Sequence, residues 1–215
     1  MTIRRYLILL GLFVFSAHAE AIDDTTLYKQ KVAQFYELTK TNQFTLLKIP
    51  AFQQTTDYTC GPAVAMTVLH YFGVLSAAEM THEQEIAIAK EMGASIERGT
   101  SEQQLASWFN KHGFIASIGY HGTLQLLQEN LKKSTITLVD WIDWGGHWVA
   151  VAGYNKVGRT PDENKDTLLL ADPAVSTDNV KYMDGLTTIN PARFAAMWFN
   201  SKHGNGIYIN IKRKS

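Results

Sequence analysis

The feature that most constrains the fold is a change of hydrophobic period near residue 135. Before it, apolar residues recur at helical spacing. From Cys60 to Phe72, Val64, Val68 and Tyr71 share one side, with Ala65, Leu69 and Phe72 beside them. Gly73 stands where a glycine ends a helix. Further helices are expected over Thr81–Met92, where Thr81 and Gln84 form a capping-box pattern, over Ser101–Lys111, closed by Gly113, and over Thr123–Lys132. After it come short runs rich in valine, isoleucine, leucine and aromatics, broken by Gly, Asn, Asp and Pro: 136–141, 147–154, 167–171 and 207–211. These are strands, with consecutive ones expected to pair antiparallel, and a last short helix over 191–199 packs on them. Helices first and strands afterwards give an α+β fold, a helical lobe meeting a sheet lobe in a cleft. Thr25–Thr39 is a further expected helix, and Phe44–Ile49 a short strand leading into a loop at Gln54.

The chain has 215 residues without internal repeats or long linkers, which suits one domain of about 44–215 behind a helical segment at 20–43. Twenty basic and twenty acidic residues cancel, so no electrostatic footprint for nucleic acid is present. The first nineteen residues carry two arginines, an apolar run from Tyr6 to Phe15, and Ala17-His18-Ala19. That is the pattern of a secretory signal peptide with cleavage before Glu20, and the run is shorter than a membrane span. The expectation is an exported protein, periplasmic or extracellular, with no stable membrane insertion after cleavage.

In that setting one cysteine is informative, because exported proteins usually carry cysteines in disulfide pairs. Cys60 opens a helix, followed by Gly61 and Pro62. A helix N-terminus favours an anion, hence thiolate over thiol. Proline suits a first turn, and Gly61 is expected to let a substrate backbone approach closely. A nucleophilic thiol needs a histidine. His70, His82 and His112 read as surface or packing residues on or beside helices, and His121 and His203 lie in glycine-flanked loops. His147 follows Trp144-Gly145-Gly146 and opens an apolar strand, at the mouth of a rigid element with room for a ligand. Asp172 ends the next strand; if the two strands pair antiparallel, it lies beside His147 and can orient the imidazole. Gln54, six residues before Cys60, can present its amide beside the Cys60 backbone N–H as an oxyanion donor.

Several plainer readings compete. Cys60 can be a small buried hydrophobe, His147 a satisfied core histidine, and Asp172 before Pro173 a turn. Trp141, Trp144 and Trp148 can be core or cleft wall, with Trp144, Gly146 and Trp148 the candidates for contact with a substrate. A single cysteine with scattered histidines has no metal-ligand spacing, so neither metal nor cofactor is expected.

Taken together, Gln54, the Cys-Gly-Pro-Ala at 60–63, the Gly-His-Trp-Val-Ala-Val-Ala-Gly-Tyr at 146–154 and the Ala-Asp-Pro-Ala at 171–174 resemble cysteine peptidase family thirty-nine. Gly99-Thr100, His112-Gly113-Phe114 and the Phe-Ala-Ala-Met-Trp at 194–198 extend the likeness over roughly 44–211. The family is papain-like and includes the double-glycine leader peptidases of bacteriocin exporters, which sit fused to a transporter; this chain carries an export pattern instead. The resemblance implies a peptide or protein substrate, with Cys60 as nucleophile, His147 as general base and acid, Asp172 as orienting carboxylate and Gln54 as oxyanion donor. A transpeptidase or acyltransferase with the same thioester chemistry, as in phytochelatin synthases, and a non-catalytic peptide-binding or assembly factor are the alternatives. The 155–166 connection is longer than expected for the family, and either flanks the cleft to tune specificity or is plain surface.

Overall fold

The computed structural model describes residues 44–49, 51–174, 185–200 and 204–214. The expected signal segment, the Thr25–Thr39 helix and His203 lie outside the described residues. Five α-helices are described: α1 (Cys60–Tyr71), α2 (His82–Met92), α3 (Glu102–Lys111), α4 (Leu124–Lys132) and α5 (Pro191–Met197). The strands are β1 (Phe44–Leu46), β2 (Phe114–Gly119), β3 (Ile136–Trp141), β4 (His147–Asn155), β5 (Thr167–Ala171), β6 (Leu186–Ile189), β7 (Phe199–Asn200), β8 (Gly204–Asn205) and β9 (Tyr208–Arg213).

Local chemistry sets the helix ends. Thr81, Ser101, Thr123 and Asn190 each accept a hydrogen bond from a first-turn backbone N–H, relieving one of the donors that a helix leaves unpaired. Ser101 and Gln104 complete a reciprocal capping box, whereas at Thr81 only the threonine half forms. Gly73 and Gly93, in the left-handed region at φ 68° and 73°, turn the chain out of α1 and α2.

The main sheet runs β2-β9-β3-β4-β5-β6, with β1 added to the far end of β4, and its pairs are antiparallel. β3 is buried throughout and β4 at every residue but Asn155, matching their near-continuous apolar sequence. Helix α1 is buried from Cys60 to Leu69 and packs on β4, so the helix that starts at Cys60 rests on the strand that starts at His147. Consecutive strands pair as expected for β3, β4 and β5. The C-terminal strand does not follow that rule: β9 inserts between β2 and β3 rather than beside β5. β2 and β6 have no counterpart among the expected strands; both are short and largely unburied on one face, which weakens the hydrophobic signal. Among the described residues no helix is long and apolar enough to cross a membrane.

Candidate active site

Cys60 is the first residue of α1, 7% exposed, and the first turn holds no acidic residue to compete for the positive end of the helix. β4 begins at His147, which pairs across the sheet with Trp141. β5 ends at Ala171, opposite Ala150, which brings the next residue, Asp172, to the same end of the sheet as His147. His147 Nε2 donates to Asp172 Oδ1 at 2.8 Å, with both side chains almost fully buried. Cys60 lines the same cavity as His147 and lies near enough to act on its ring. Burial works against the charged ring, but Asp172 and the Cys60 sulfur outweigh it and push His147 up to about 9.

Asp172 is itself fixed. Its Oδ1 also accepts from the Ala174 N–H at 2.9 Å, and Oδ2 from the Thr187 hydroxyl at 3.3 Å. Burial favours the neutral acid, yet the His147 hydrogen bond and charge, with these two donors, hold the carboxyl below its ordinary range. A buried carboxylate–imidazole pair next to a cysteine at a helix start is an arrangement that nucleophilic thiol chemistry can use.

Gln54 lines the same cavity as Cys60 and His147. Its Nε2 donates one hydrogen to the Thr56 carbonyl at 2.8 Å, which sets the amide's orientation and leaves it a second N–H to donate. The Gln54 backbone N–H donates to the Pro173 carbonyl at 2.8 Å, so the Gln54 loop is tied to the turn after Asp172. The four residues singled out in the sequence therefore converge from three parts of the fold.

Two cavities flank Cys60. A narrow one of about 150 Å³ is walled by Tyr58, Gly99, Thr100 and Trp148, and a wider one of about 600 Å³ by Gln53, Gln54, His147 and Pro173. Asp57, Trp144 and Gly146 border both. Trp144 is 77% exposed and stands edge-on to the His147 ring, with centroids 5.0 Å apart. Its backbone is left-handed at φ 51°, a cost of about 1–2 kcal/mol for a side chain with a Cβ, and Gly145 and Gly146 at φ 88° and 146° complete the turn that lifts it over the cleft.

One expectation needs correction, and two open readings narrow. Gly61 does not face a substrate: it is buried, and a Cβ there would lie 2.7 Å from both Cβ and Oγ1 of Thr100, so the glycine serves helix packing. Trp148, 2% exposed, stands as a fixed part of the narrow cavity's wall, its indole N–H donated to the Thr100 carbonyl at 2.8 Å. The 155–166 connection joins the far end of β4 to the start of β5, roughly 25 Å along the strand from His147 at about 3.3 Å per residue. It is pinned by buried Asp166, which accepts from the Tyr154 hydroxyl and the backbone N–H groups of Val157 and Asp162. It therefore does not flank the cleft.

The sequence reading missed the groups that hold the site: Pro173 and Thr187 around Asp172, and Thr67 and Glu85 around the Gln54 loop. Glu85 alone carried a signal. With Ile88, Ala89 and Met92 it forms the buried stripe of α2, a carboxylate where the helical period calls for an apolar residue.

A search of curated proteins found no match. Among solved structures the chain is similar to a C39-like peptidase from Bacillus anthracis, at 13% identity and TM-score 0.57, covering 81% of this chain and all of that one. It is also similar to the peptidase domain of Streptococcus ComA, a bi-functional ABC transporter involved in a quorum-sensing pathway, at 17% identity and TM-score 0.55, covering 77% and 99%. A double glycine motif protease from an AMS/PCAT transporter, solved in complex with the leader peptide, matches at 19% identity and TM-score 0.51, covering 79% and 94%. These likenesses show a shared fold of helices and a large antiparallel sheet. The family model described as Peptidase_C39 like matches residues 46–204, and the chain belongs to that family.

Proposed function

We propose that this chain is an exported cysteine peptidase acting through Cys60, His147, Asp172 and Gln54. The observation that carries the reading is the buried Asp172–His147 pair at 2.8 Å, with Cys60 at a helix N-terminus on the same cavity as His147. Family membership supports the reaction class, and the N-terminal sequence pattern supports export.

In the reaction, the Cys60 thiolate attacks a peptide carbonyl carbon and the carbonyl electron pair moves onto oxygen. The Gln54 amide and the Cys60 backbone N–H donate to that oxyanion; a lost donor of this kind typically costs 10²–10³ in kcat. As the tetrahedral species collapses, the C–N bond breaks and His147 gives its proton to the leaving amine. Water then attacks the thioester, passing a proton to His147; the C–S bond breaks and the thiolate returns. The leaving amine departs on the His147 side, which places it in the wider cavity, with the acyl part toward the narrow one.

The test is mass spectrometry of the purified protein incubated with a pool of unstructured peptides. A thioester on Cys60 and new peptide termini, both absent in Cys60→Ala, are expected. Binding of peptides without turnover, unchanged in Cys60→Ala, would overturn the reading in favour of a binding factor. Products joined to an added amine in preference to water would assign the same site to acyl transfer.

A further inference from the structure

The loop that carries Gln54 is held at three successive points by three different elements. The Phe52 N–H donates to Thr67 Oγ1 of α1 at 2.9 Å, and the Gln54 N–H to the Pro173 carbonyl at 2.8 Å. The Thr55 N–H donates to both carboxylate oxygens of Glu85 on α2, at 3.1 Å each. The Thr55 hydroxyl donates to Glu85 Oε2 and accepts from His82 Nδ1. Two of these anchors are neutral and sit next to groups of the site itself. The third is a carboxylate with 0% exposure, set in the apolar stripe of a helix that contributes no residue to either cavity beside Cys60.

A buried carboxylate is costly, and apolar packing would serve α2 better at this position. Every hydrogen bond described for the Glu85 carboxylate goes to Thr55, the residue directly after Gln54. We infer that Glu85 is a positioning residue for oxyanion stabilisation: it fixes Thr55, and through it the Gln54 amide, in the place where the tetrahedral oxyanion forms. This inference rests on the proposed cysteine-peptidase chemistry. A carboxylate that receives both the N–H and the hydroxyl of one residue restrains it at two points, where a single neutral acceptor holds one. Stiffness matters here because a displacement of about 1 Å in a catalytic group can cost a factor of 10² in rate.

The inference is separable from general damage because two reactions of one thiol differ in their need for an oxyanion donor. Acylation of Cys60 by 4-nitrophenyl acetate passes through a tetrahedral oxyanion as the C–S bond forms and nitrophenolate leaves. Alkylation by iodoacetamide displaces iodide at a saturated carbon and develops no oxyanion. The ratio of the two rate constants, measured on the purified protein, reads Gln54's contribution directly. Glu85→Leu is expected to lower that ratio at least tenfold, and Glu85→Gln, which keeps an acceptor for the Thr55 N–H, by no more than about threefold. In Gln54→Ala the ratio falls by the oxyanion factor, and adding Glu85→Leu lowers it no further, since both substitutions remove the same interaction. A ratio unchanged in Glu85→Leu, or losses that multiply in the double variant, overturns the inference. Should Glu85→Leu fail to fold, Thr55→Val combined with Glu85→Gln carries the test: it removes the contacts of the exposed Thr55 hydroxyl and the charge of the acceptor for its N–H, and an unchanged ratio there is equally fatal. Absence of acylation in the wild type would instead overturn the peptidase reading, and this inference with it.

Discussion

Replacing Asp172 with asparagine isolates the charge of the buried pair from its geometry. The amide oxygen still accepts from His147 Nε2 and from the Ala174 N–H, so the ring keeps its place while the negative charge is lost. In the wild type His147 is raised from 6.5 to about 9 against the opposing effect of burial. That net displacement corresponds to about 3 kcal/mol in favour of the imidazolium. Without the carboxylate, burial is opposed only by the Cys60 sulfur. The alkaline limb of the acylation rate, followed as the 4-nitrophenol burst between pH 5 and 10, is expected to fall from about 9 by one to two and a half units. The sign of the stability effect follows from the same shift. A folded-state pKa raised above the unfolded value stabilises the fold fully below 6.5, and this contribution disappears as pH rises through about 9. Urea unfolding should therefore show a gap of up to about 3 kcal/mol between wild type and variant at pH 6 that narrows toward pH 10. An alkaline limb still near 9 in the variant, or a gap that widens with pH, would refute the argument that Asp172 sets the charge state of His147.

Two further substitutions test the corrected roles of Gly61 and the long connection. Gly61→Ala places a methyl 2.7 Å from Thr100 and should cost about 1–3 kcal/mol in urea unfolding, recovered in large part by Thr100→Gly; a lone Gly61→Ala without cost would show that the helix start can shift. Asp166→Ala orphans the Val157 and Asp162 N–H groups and the Tyr154 hydroxyl, whose own pKa burial and that carboxylate raise. It should destabilise the chain by about 2–4 kcal/mol while leaving the pH profile of Cys60 alkylation in place, because it acts at the far end of β4; a shifted profile would link that loop to the site after all.

How much of this was legible in the sequence follows from the range of the forces involved. The strands 136–141 and 167–171 were readable to the residue, and helix ends to within about two, because capping threonines, terminal glycines and dense apolar runs are local signals. His147 and Asp172 were legible as a pair because one hairpin joins them, so local pairing alone brings them together. The insertion of β9 between β2 and β3 was not, since nothing in a six-residue strand encodes a partner about ninety residues away. Gly61 was misread for a related reason: a missing side chain signals close approach but not by what, and here the neighbour is Thr100. Glu85 shows the opposite case, a signal present in the helical period of α2 that only the Thr55 contacts turn into a role.

The most direct measurement of the central claim is the rate of iodoacetamide alkylation of Cys60 between about pH 4 and pH 10, in the wild type and in His147→Ala. Thiolate fraction controls that rate, and a free cysteine titrates near 8.5. The account predicts fast alkylation well below 8.5 in the wild type, lost in His147→Ala, as a thiolate–imidazolium pair requires. A rate that follows an ordinary thiol in both proteins, or no alkylation at all, would contradict it and leave Cys60 a structural residue of a protein that binds without cleaving.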